Sequence, residues 1–360
     1  MIRSSVSLIA EDGQCSSRRV CGPHRPWLRN AIAVAFALVG GVFATMPGAA
    51  AAGRVNVESN GIDHAACGSR QDPCRSISQA LSVARDGDKI LVGPGRYSPA
   101  GEAAEPGFGC LCMIRVSKQV AIESTDGAET TVLDAEGADL RAVLIEANGV
   151  IFGSTRHGFT VTRARREGVL LGGSVTDVRI AGNTATLNGS NGNDAFFIQG
   201  SNNVATKNVA QQNRRAGFGV HGSGHRVTGN VASSNLLGFE VSATGLFKDN
   251  SAVGNTLHGL VLNVIGQLEM QHNDFVGNGG LGIWAMRATE ITESNIYGNN
   301  GSGNCGLQND VPFLSAINNY WGAATGPGPD PADAVCESVG STTTTLPFAT
   351  RPVRIRSVEP

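Results

Sequence analysis

Polar and apolar positions between residues 183 and 300 recur with a period near 22 residues. Each repeat has two asparagines five positions apart, and a Gly-apolar-x-apolar segment follows the second. The pairs are Asn183/Asn188, Asn208/Asn213, Asn230/Asn235, Asn250/Asn255, Asn273/Asn278 and Asn295/Asn300. The alternating segments predict β-strands, because they are too short for helices. A period of this length predicts a solenoid of stacked coils.

Each repeat has room for three short strands, and like residues are expected to stack on like in successive coils. Two apolar columns are predicted to point inward: Val169, Phe196, Phe218, Phe239, Leu260 and Ile283, and then Leu171, Ile198, Val220, Val241, Leu262 and Ala285. A third inward column follows the leading asparagines: Ala185, Ala210, Ala232, Ala252, Phe275 and Tyr297. The leading asparagines are expected to turn the corner in the left-handed conformation and to form a ladder of amide bonds.

A leucine-rich repeat has a similar period, but its leucine-dominated spacing is absent here. The asparagine pairs and short strands instead resemble the repeats of right-handed parallel β-helix proteins, the pectate-lyase-like superfamily, and within it the NosD-like repeat branch. The resemblance covers nearly all of the chain after its N-terminal segment. It implies an all-β right-handed parallel β-helix with about 22 residues per coil, secretion, and frequent action on polysaccharides. Fold alone does not give function.

The first 52 residues are predicted to be a signal peptide. An apolar run at 31–46 leads into small residues that favour cleavage near Ala51 or Ala52. An uncleaved anchor is the alternative, although the run is shorter than the ~20 residues that a membrane span needs. The true translation start stays open. The sequence therefore favours a secreted, periplasmic or cell-surface protein.

The remaining chain divides into three predicted parts. Residues 53–112 are expected to form an N-terminal cap, residues 113–322 the β-helix, and residues 323–360 a C-terminal cap and tail. The N-terminal cap holds one short helix. Its predicted apolar stripe is Ile77, Ala80, Leu81 and Ala84.

Six cysteines follow residue 52, and an even number in an exported chain argues for disulfides. The predicted pairs are Cys67 with Cys74 and Cys305 with Cys336. The pairing of Cys110 and Cys112 stays open, because a bridge across one residue is strained and either cysteine could exchange with the first pair. The cysteines show no C-x2-C knuckle, so no zinc site is predicted.

Charge excludes one class of partner. After residue 52 the chain has 23 basic and 28 acidic residues, whereas a nucleic-acid-binding protein needs a basic face. No nucleic acid, and no membrane after signal cleavage, is therefore expected as a partner. The oligomeric state is not predicted.

Catalytic groups are sparse along the predicted strands. The outward positions of the repeat strands offer one carboxylate, Glu240, too few for the calcium that lyases of the resembled superfamily use. Glu240 also lacks an evident partner for two-carboxylate hydrolysis. His221, His225, His258 and His272 fall at different phases of the repeat, so neither a metal nor a cofactor is predicted. His221 and Glu240 are the only weak candidates for acid–base catalysis.

Strand alternation places a candidate binding face on the outward positions. One outward row is Leu170, Phe197, Gly219, Glu240, Val261 and Trp284, and its neighbour is Gly172, Gln199, His221, Ser242, Asn263 and Met286. The rings of Phe197 and Trp284 would stack on a sugar chain, while Gln199, His221, Glu240 and Asn263 would bond its hydroxyls. The basic turn at 163–166 would meet a carboxylated sugar.

The sequence therefore predicts a secreted β-helix protein that binds a polysaccharide. Whether it also processes that polysaccharide, as a lyase, hydrolase or epimerase, stays open. The alternative is a non-enzymatic structural or adhesive rod at the cell surface.

Overall fold

A computed structural model of the chain describes residues 52–102, 111–288 and 290–356. One helix and 28 strands lie in these ranges: β1 (Arg54–Val57), α1 (Ile77–Val83), β2 (Lys89–Val92), β3 (Gly95–Tyr97), β4 (Cys112–Val116), β5 (Ala121–Ser124), β6 (Thr131–Asp134), β7 (Arg141–Ile145), β8 (Ile151–Phe152), β9 (Thr160–Thr162), β10 (Val169–Leu171), β11 (Arg179–Ala181), β12 (Thr184–Thr186), β13 (Phe196–Ile198), β14 (Val204–Thr206), β15 (Val209–Gln211), β16 (Ala216–Thr228), β17 (Val231–Ser233), β18 (Leu237–Lys248), β19 (Ser251–Val253), β20 (Leu260–Asn263), β21 (Leu268–Gln271), β22 (Asp274–Val276), β23 (Ile283–Arg287), β24 (Asn295–Tyr297), β25 (Cys305–Asn309), β26 (Phe313–Ser315), β27 (Ala334–Glu337) and β28 (Thr342–Thr344).

Every strand pairs in parallel with the equivalent strand of the next coil. Along the first strand of each coil, for example, β10 pairs with β13, β13 with β16 and β16 with β18. The crossover connection between two parallel strands of one sheet is right-handed in about 98% of cases. The predicted fold is confirmed: the protein is an all-β right-handed parallel β-helix of about nine turns.

The core is a continuous column inside the coils. The first two predicted inward columns are paired residue to residue at every step except that from Leu171 to Ile198, and every side chain in them is buried. The rings of Phe196, Phe218 and Phe239 stack with centroids 4.9 Å apart, which matches the spacing of ~4.8 Å between neighbouring strands. Strand pairing therefore places identical side chains in contact.

Both asparagine columns form ladders. The first is Asn183, Asn208, Asn230, Asn250, Asn273 and then Ser294, and the second is Asn188, Asn213, Asn235, Asn255, Asn278, Asn299 and then Asp333. In each asparagine step the side-chain Oδ1 accepts from the backbone N–H and the amide Nδ2 of the preceding coil. The same Nδ2 also donates to a backbone carbonyl, such as that of Ala205 for Asn230. These buried amides are thus satisfied, which fixes the register.

Two details of the predicted repeat are wrong. The sixth pair is Ser294 and Asn299 instead of Asn295 and Asn300, because the last repeat is shifted by one residue. The third inward column consequently ends at Ile296, which pairs with Phe275, while Tyr297 is half-exposed.

The ladder asparagines also do not turn the corner. The residue before each one has a positive φ instead, such as Lys207 (53°) before Asn208 and Gln212 (56°) before Asn213. The ladder side chain must point inward to reach the adjacent coil. The left-handed turn therefore falls on the residue before it.

The coils begin before the predicted boundary at residue 113. β1 pairs with β2, and β2 with β5, so parallel stacking already starts at Arg54. The predicted helix lies between β1 and β2, and its stripe of Ile77, Ala80, Leu81 and Ala84 is buried. This helix packs against β1, β2 and β4 of the first coils.

Two disulfides are confirmed, Cys67–Cys74 near the first coil and Cys305–Cys336 between β25 and β27. Cys112 is also disulfide-bonded. The signal peptide and Cys110 lie outside the described residues, so those predictions stay predictions. In the described ranges no helix is both long and apolar enough to cross a membrane.

The C-terminal segment returns over the coils. Trp321 is fully buried, and Phe348 packs partly against the core. Ala349 donates its N–H to the carbonyl of Asn319, at 3.0 Å. Further on, the backbone of Val353 is bonded by the side chain of Asn295. Residues 348–353 are thus fixed to the outside of the solenoid.

Candidate functional site

The first outward row follows the predicted alternation throughout, and the neighbouring row follows it in part. Leu170, Phe197, Gly219, Glu240, Val261 and Trp284 are paired in sequence from coil to coil. In the neighbouring row His221 pairs with Ser242, but Asn263 pairs with Arg287 and not with Met286. A register shift after Leu262 displaces Met286 from that row.

A cleft of about 290 Å³ opens on this face. Its lining residues are Glu167, Gly192, Asn193, Asp194, Phe197, Arg215, His221 and Glu240. The ring of Phe197 meets the edge of the His221 imidazole, with centroids 5.1 Å apart. The His221 Nδ1 lies 2.8 Å from the hydroxyl oxygen of Ser242, which holds the imidazole in place. An aromatic surface and hydrogen-bonding groups therefore face the same space.

Arg215 bridges two carboxylates in this cleft. Its guanidinium donates to Oδ1 of Asp194 and, at 2.5 Å, to Oε2 of Glu240. The Asp194 side chain is only 3% exposed, and the N–H of Ala216 also donates to it. Charges from three successive coils thus meet along the solenoid axis. A third carboxylate, Glu167, is paired with Arg141 and accepts from the Asn193 amide.

Burial shifts the pKa values of two side chains in the cleft. It raises the pKa of Asp194 to about 6, although Arg215 opposes the shift and Glu240 adds to it. Burial lowers the pKa of His221, which Arg215 also lowers and Glu240 raises. A carboxyl group that titrates near pH 6 beside a second carboxylate is an arrangement suited to proton transfer.

Gly219 makes room for this arrangement. A Cβ atom at that position would lie 2.1 Å from Oδ2 of Asp194 and 2.8 Å from the Phe197 ring. A side chain there would displace the carboxylate, the ring, or both. The break in the outward row at Gly219 is therefore what lets Asp194 reach Arg215.

The structure brings together three of the six residues predicted to bind a ligand: Phe197, His221 and Glu240. Gln199 and Asn263 do not line the cleft. Trp284 lies two coils beyond Glu240, where its Nε1–H donates to Asp310 at 2.7 Å and its ring meets the edge of His258.

The basic turn at 163–166 is largely engaged with neighbouring acids. Arg163 forms a two-bond ion pair with Asp134, and Arg166 contacts Asp139. Neither guanidinium lines the cleft. The expectation that this turn meets a carboxylated sugar thus loses its basis.

Asp194 and Arg215 were not identified from sequence. Both lie just before a strand, in turns that the strand alternation does not describe. One signal was available: eight positions separate Asn188 from Phe196, whereas five separate Asn213 from Phe218. Longer turns of a solenoid tend to lie on one face, often the binding face.

His225 supports the backbone of β16 at His221. It is 2% exposed; its Nδ1 accepts from the N–H of Asn203 at 3.1 Å, and its Nε2 donates to the His221 carbonyl at 3.0 Å. This pattern requires a neutral ring with its proton on Nε2. The position continues a short ladder, because Asn203 accepts in the same way from Val178. His225 therefore replaces an asparagine.

We expect His225→Asn to remove part of the protein's acid sensitivity. Burial lowers the pKa of His225, so its contribution to folding is complete above the unfolded pKa of about 6.5 and is lost as pH falls through the folded pKa. Asparagine can accept the same bond without titrating. Unfolding midpoints between pH 4 and 8, with exposed His64→Asn as control, measure the difference. Equal pH dependence in wild type and His225→Asn would contradict this role.

Comparison with known proteins gives one family match. Residues 148–321 match the family described as "Periplasmic copper-binding protein (NosD)". No curated protein matches the chain significantly.

Among solved structures, the A-module of the Azotobacter vinelandii mannuronan C-5 epimerase AlgE4 is 16% identical, with 72% of this chain and 86% of that chain covered and a TM-score of 0.52. The pectate lyase Pel9A is also 16% identical, over 84% and 80% of the two chains, with a TM-score of 0.49. A rhamnogalacturonan lyase is 12% identical, over 82% and 87%, with a TM-score of 0.46. At such identities the likeness concerns the fold alone.

The described residues do not fit a copper site. The single group of three or more potential donors found there is Asp63, Cys67 and Cys74, and its cysteines are joined in a disulfide. Both nitrogens of His225 are engaged by backbone groups. The donor set therefore gives no support to copper binding in this part of the chain.

Proposed function

We propose that this right-handed parallel β-helix repeat protein is exported and binds a polysaccharide in the cleft between Phe197 and Glu240. The observation that carries the proposal is the half-buried Phe197 ring beside His221, Arg215 and Glu240 in one opening on the outward face. Aromatic rings stack on the apolar faces of sugars, and neighbouring polar groups bond the hydroxyls. Two disulfides and the match to a family described as periplasmic support export.

The charge of the cleft favours a neutral sugar over a carboxylated one. Three carboxylates, Glu167, Asp194 and Glu240, face two guanidinium groups, Arg141 and Arg215. Above pH 6, where Asp194 is mostly ionised, the cluster has an excess of negative charge. A uronate would therefore meet repulsion, while hydroxyl groups can bond to either charge.

If the bound sugar is processed, the residues favour hydrolysis. Asp194 supplies the second carboxyl group that Glu240 lacked, and a raised pKa suits Asp194 to donate a proton to a leaving oxygen while Glu240 activates water.

A glycan array combined with assays for new reducing or unsaturated ends tests the proposal. We expect binding to neutral polysaccharides, and any cleavage to yield reducing ends. Asp194→Asn and Glu240→Gln should remove cleavage, while Glu269→Gln, an exposed change on β21, should not. Failure to bind any glycan would overturn the proposal and leave the structural rod as the better interpretation.

Phe197→Ala should weaken binding of the array's best glycan by roughly 3- to 10-fold, because a ring contact contributes about 0.5–1.5 kcal/mol beyond its buried area. Stability should change little, since Phe197 points outward. Titration calorimetry checks the affinity, and Val261→Ala on the same row is the matched control. Equal losses of affinity in both variants would show that the cleft is not the binding site.

A further inference from the structure

The C-terminal tail follows one corner of the solenoid. This corner, where the second and third strands of a coil meet, is marked by the left-handed residues Gly182, Lys207, Gly229, Asp249, His272 and Glu293. Ala349 bonds to Asn319 at the last coils, and the carbonyl oxygen of Arg356 lies 3.9 Å from where a Cβ on Gly229 would be. The tail thus crosses four coil steps, about 19 Å at ~4.8 Å each. Seven residues extended at ~3.3 Å each span about 23 Å, so the tail is nearly extended.

The corner recognises this segment through its backbone. The side-chain amide of Asn295 donates to the Val353 carbonyl and its oxygen accepts from the Val353 N–H, both at 2.8 Å. Val353 and Ile355 are half-buried, while Arg354 and Arg356 are exposed. Alternate residues therefore face the coils, as they do in a strand. The corner accordingly binds an extended peptide.

The tail and the corner beneath it carry opposite charges. The tail carries Arg351, Arg354 and Arg356, and the coils that it crosses carry Asp249, Asp274 and Glu293. A basic segment therefore lies over an acidic part of the corner.

Next to Arg356 the corner continues as a groove of about 620 Å³, and the charge of its described residues changes sign. Arg156, Lys207 and Arg356 line the groove. None of the three has an ion pair or side-chain hydrogen bond within the described ranges. The floor is Gly158, Gly182, Thr184 and Val209. The two glycines let neighbouring coils pack closely, because a Cβ on Gly158 would lie 1.8 Å from the Gly182 carbonyl oxygen. Asp126 and Glu129 form the far wall.

We propose that this groove binds an extended acidic peptide segment of another protein. The groove continues the track on which the corner already holds a peptide backbone, and three cations that have no partner among the described residues replace the acids found under the tail. Carboxylate side chains would pair with Lys207 and Arg156, as acidic segments do with basic clusters in other peptide-binding sites. This site is separate from the sugar cleft and does not depend on it.

Fluorescence anisotropy with a labelled eight-residue peptide that alternates Glu with Val tests the groove. We expect saturable binding that weakens with salt, and no binding of the matched peptide with Lys in place of Glu. Lys207→Glu and Arg156→Glu should each raise the dissociation constant at least tenfold. Arg226→Glu, an exposed change outside the groove, should leave it unchanged. Unchanged affinity in both groove variants, or an oligouronate that binds as tightly as the acidic peptide, would overturn the proposal.

A second measurement tests the track itself. A chain truncated after residue 349 should bind a synthetic peptide of residues 350–356 in trans, and circular dichroism first establishes that the truncated chain is folded. Absence of that binding in a folded truncated chain would show that the corner does not recognise an extended peptide.

Discussion

Phe239→Ala should lower the free energy of unfolding by roughly 3–5 kcal/mol, the cost of truncating a fully buried phenylalanine. Phe239 is inaccessible to solvent, stacks on Phe218 at 4.9 Å and meets the edge of Phe247 at 5.1 Å. The narrow interior of a coil cannot collapse around the vacancy, because strand pairing holds the coils at a fixed spacing.

Urea unfolding followed by circular dichroism measures this loss. Phe197→Ala, one residue beyond the same inward column, is the matched control and should cost far less. Similar losses in the two variants would mean that the inward and outward faces are assigned incorrectly, since a shift of one residue exchanges them.

Arg215→Met should destabilise the protein by roughly 3 kcal/mol at pH 7.5, the lower end of the range for breaking a buried ion pair. The lower end applies because 33% of the Arg215 side chain is exposed. Without Arg215, the buried Asp194 carboxylate loses its charge partner. At pH 5 the loss should be smaller, because Asp194, whose pKa is already raised to about 6, is then mostly protonated.

The double variant Asp194→Asn/Arg215→Met should recover most of the stability at pH 7.5, because no buried charge then lacks a partner. Arg226→Met, which removes an exposed guanidinium on β16, is the control. A loss in Arg215→Met that does not depend on pH, or that the second substitution does not rescue, would show that Asp194 is not the group that Arg215 neutralises.

The sequence was sufficient to predict the coils because the same physical requirement recurs in each. Each coil needs an apolar side chain at the same inward position and an amide at the same corner. Phe218 and Asn230 are therefore single members of columns that recur in successive coils. The predicted position of the ladder residue is wrong in the sixth repeat, because a serine stands where the other repeats have an asparagine. The hydroxyl oxygen of Ser294 accepts the hydrogen bond that an asparagine oxygen accepts elsewhere, so the shift by one residue is not visible in the asparagine pattern.

The candidate site was harder to predict because it is not periodic. His221 and Glu240 lie on strands, where alternation gives their direction. Asp194 and Arg215 lie in turns of unequal length, and their contact joins residues 21 positions apart in sequence. Only the three-dimensional stacking of the coils shows that these groups share one cleft.

The second asparagine ladder also has a direction. Each side chain accepts from the coil before it and offers its own amide to the coil after it, until Asp333 receives the bonds of Gly298 and Asn299. An ionised carboxylate accepts hydrogen bonds but has none to donate. Asp333 can therefore complete the relay but cannot pass it on, and another copy of the chain placed against this end would find no amide to continue it. The carboxylate of Asp333 thus closes the second ladder at its C-terminal end.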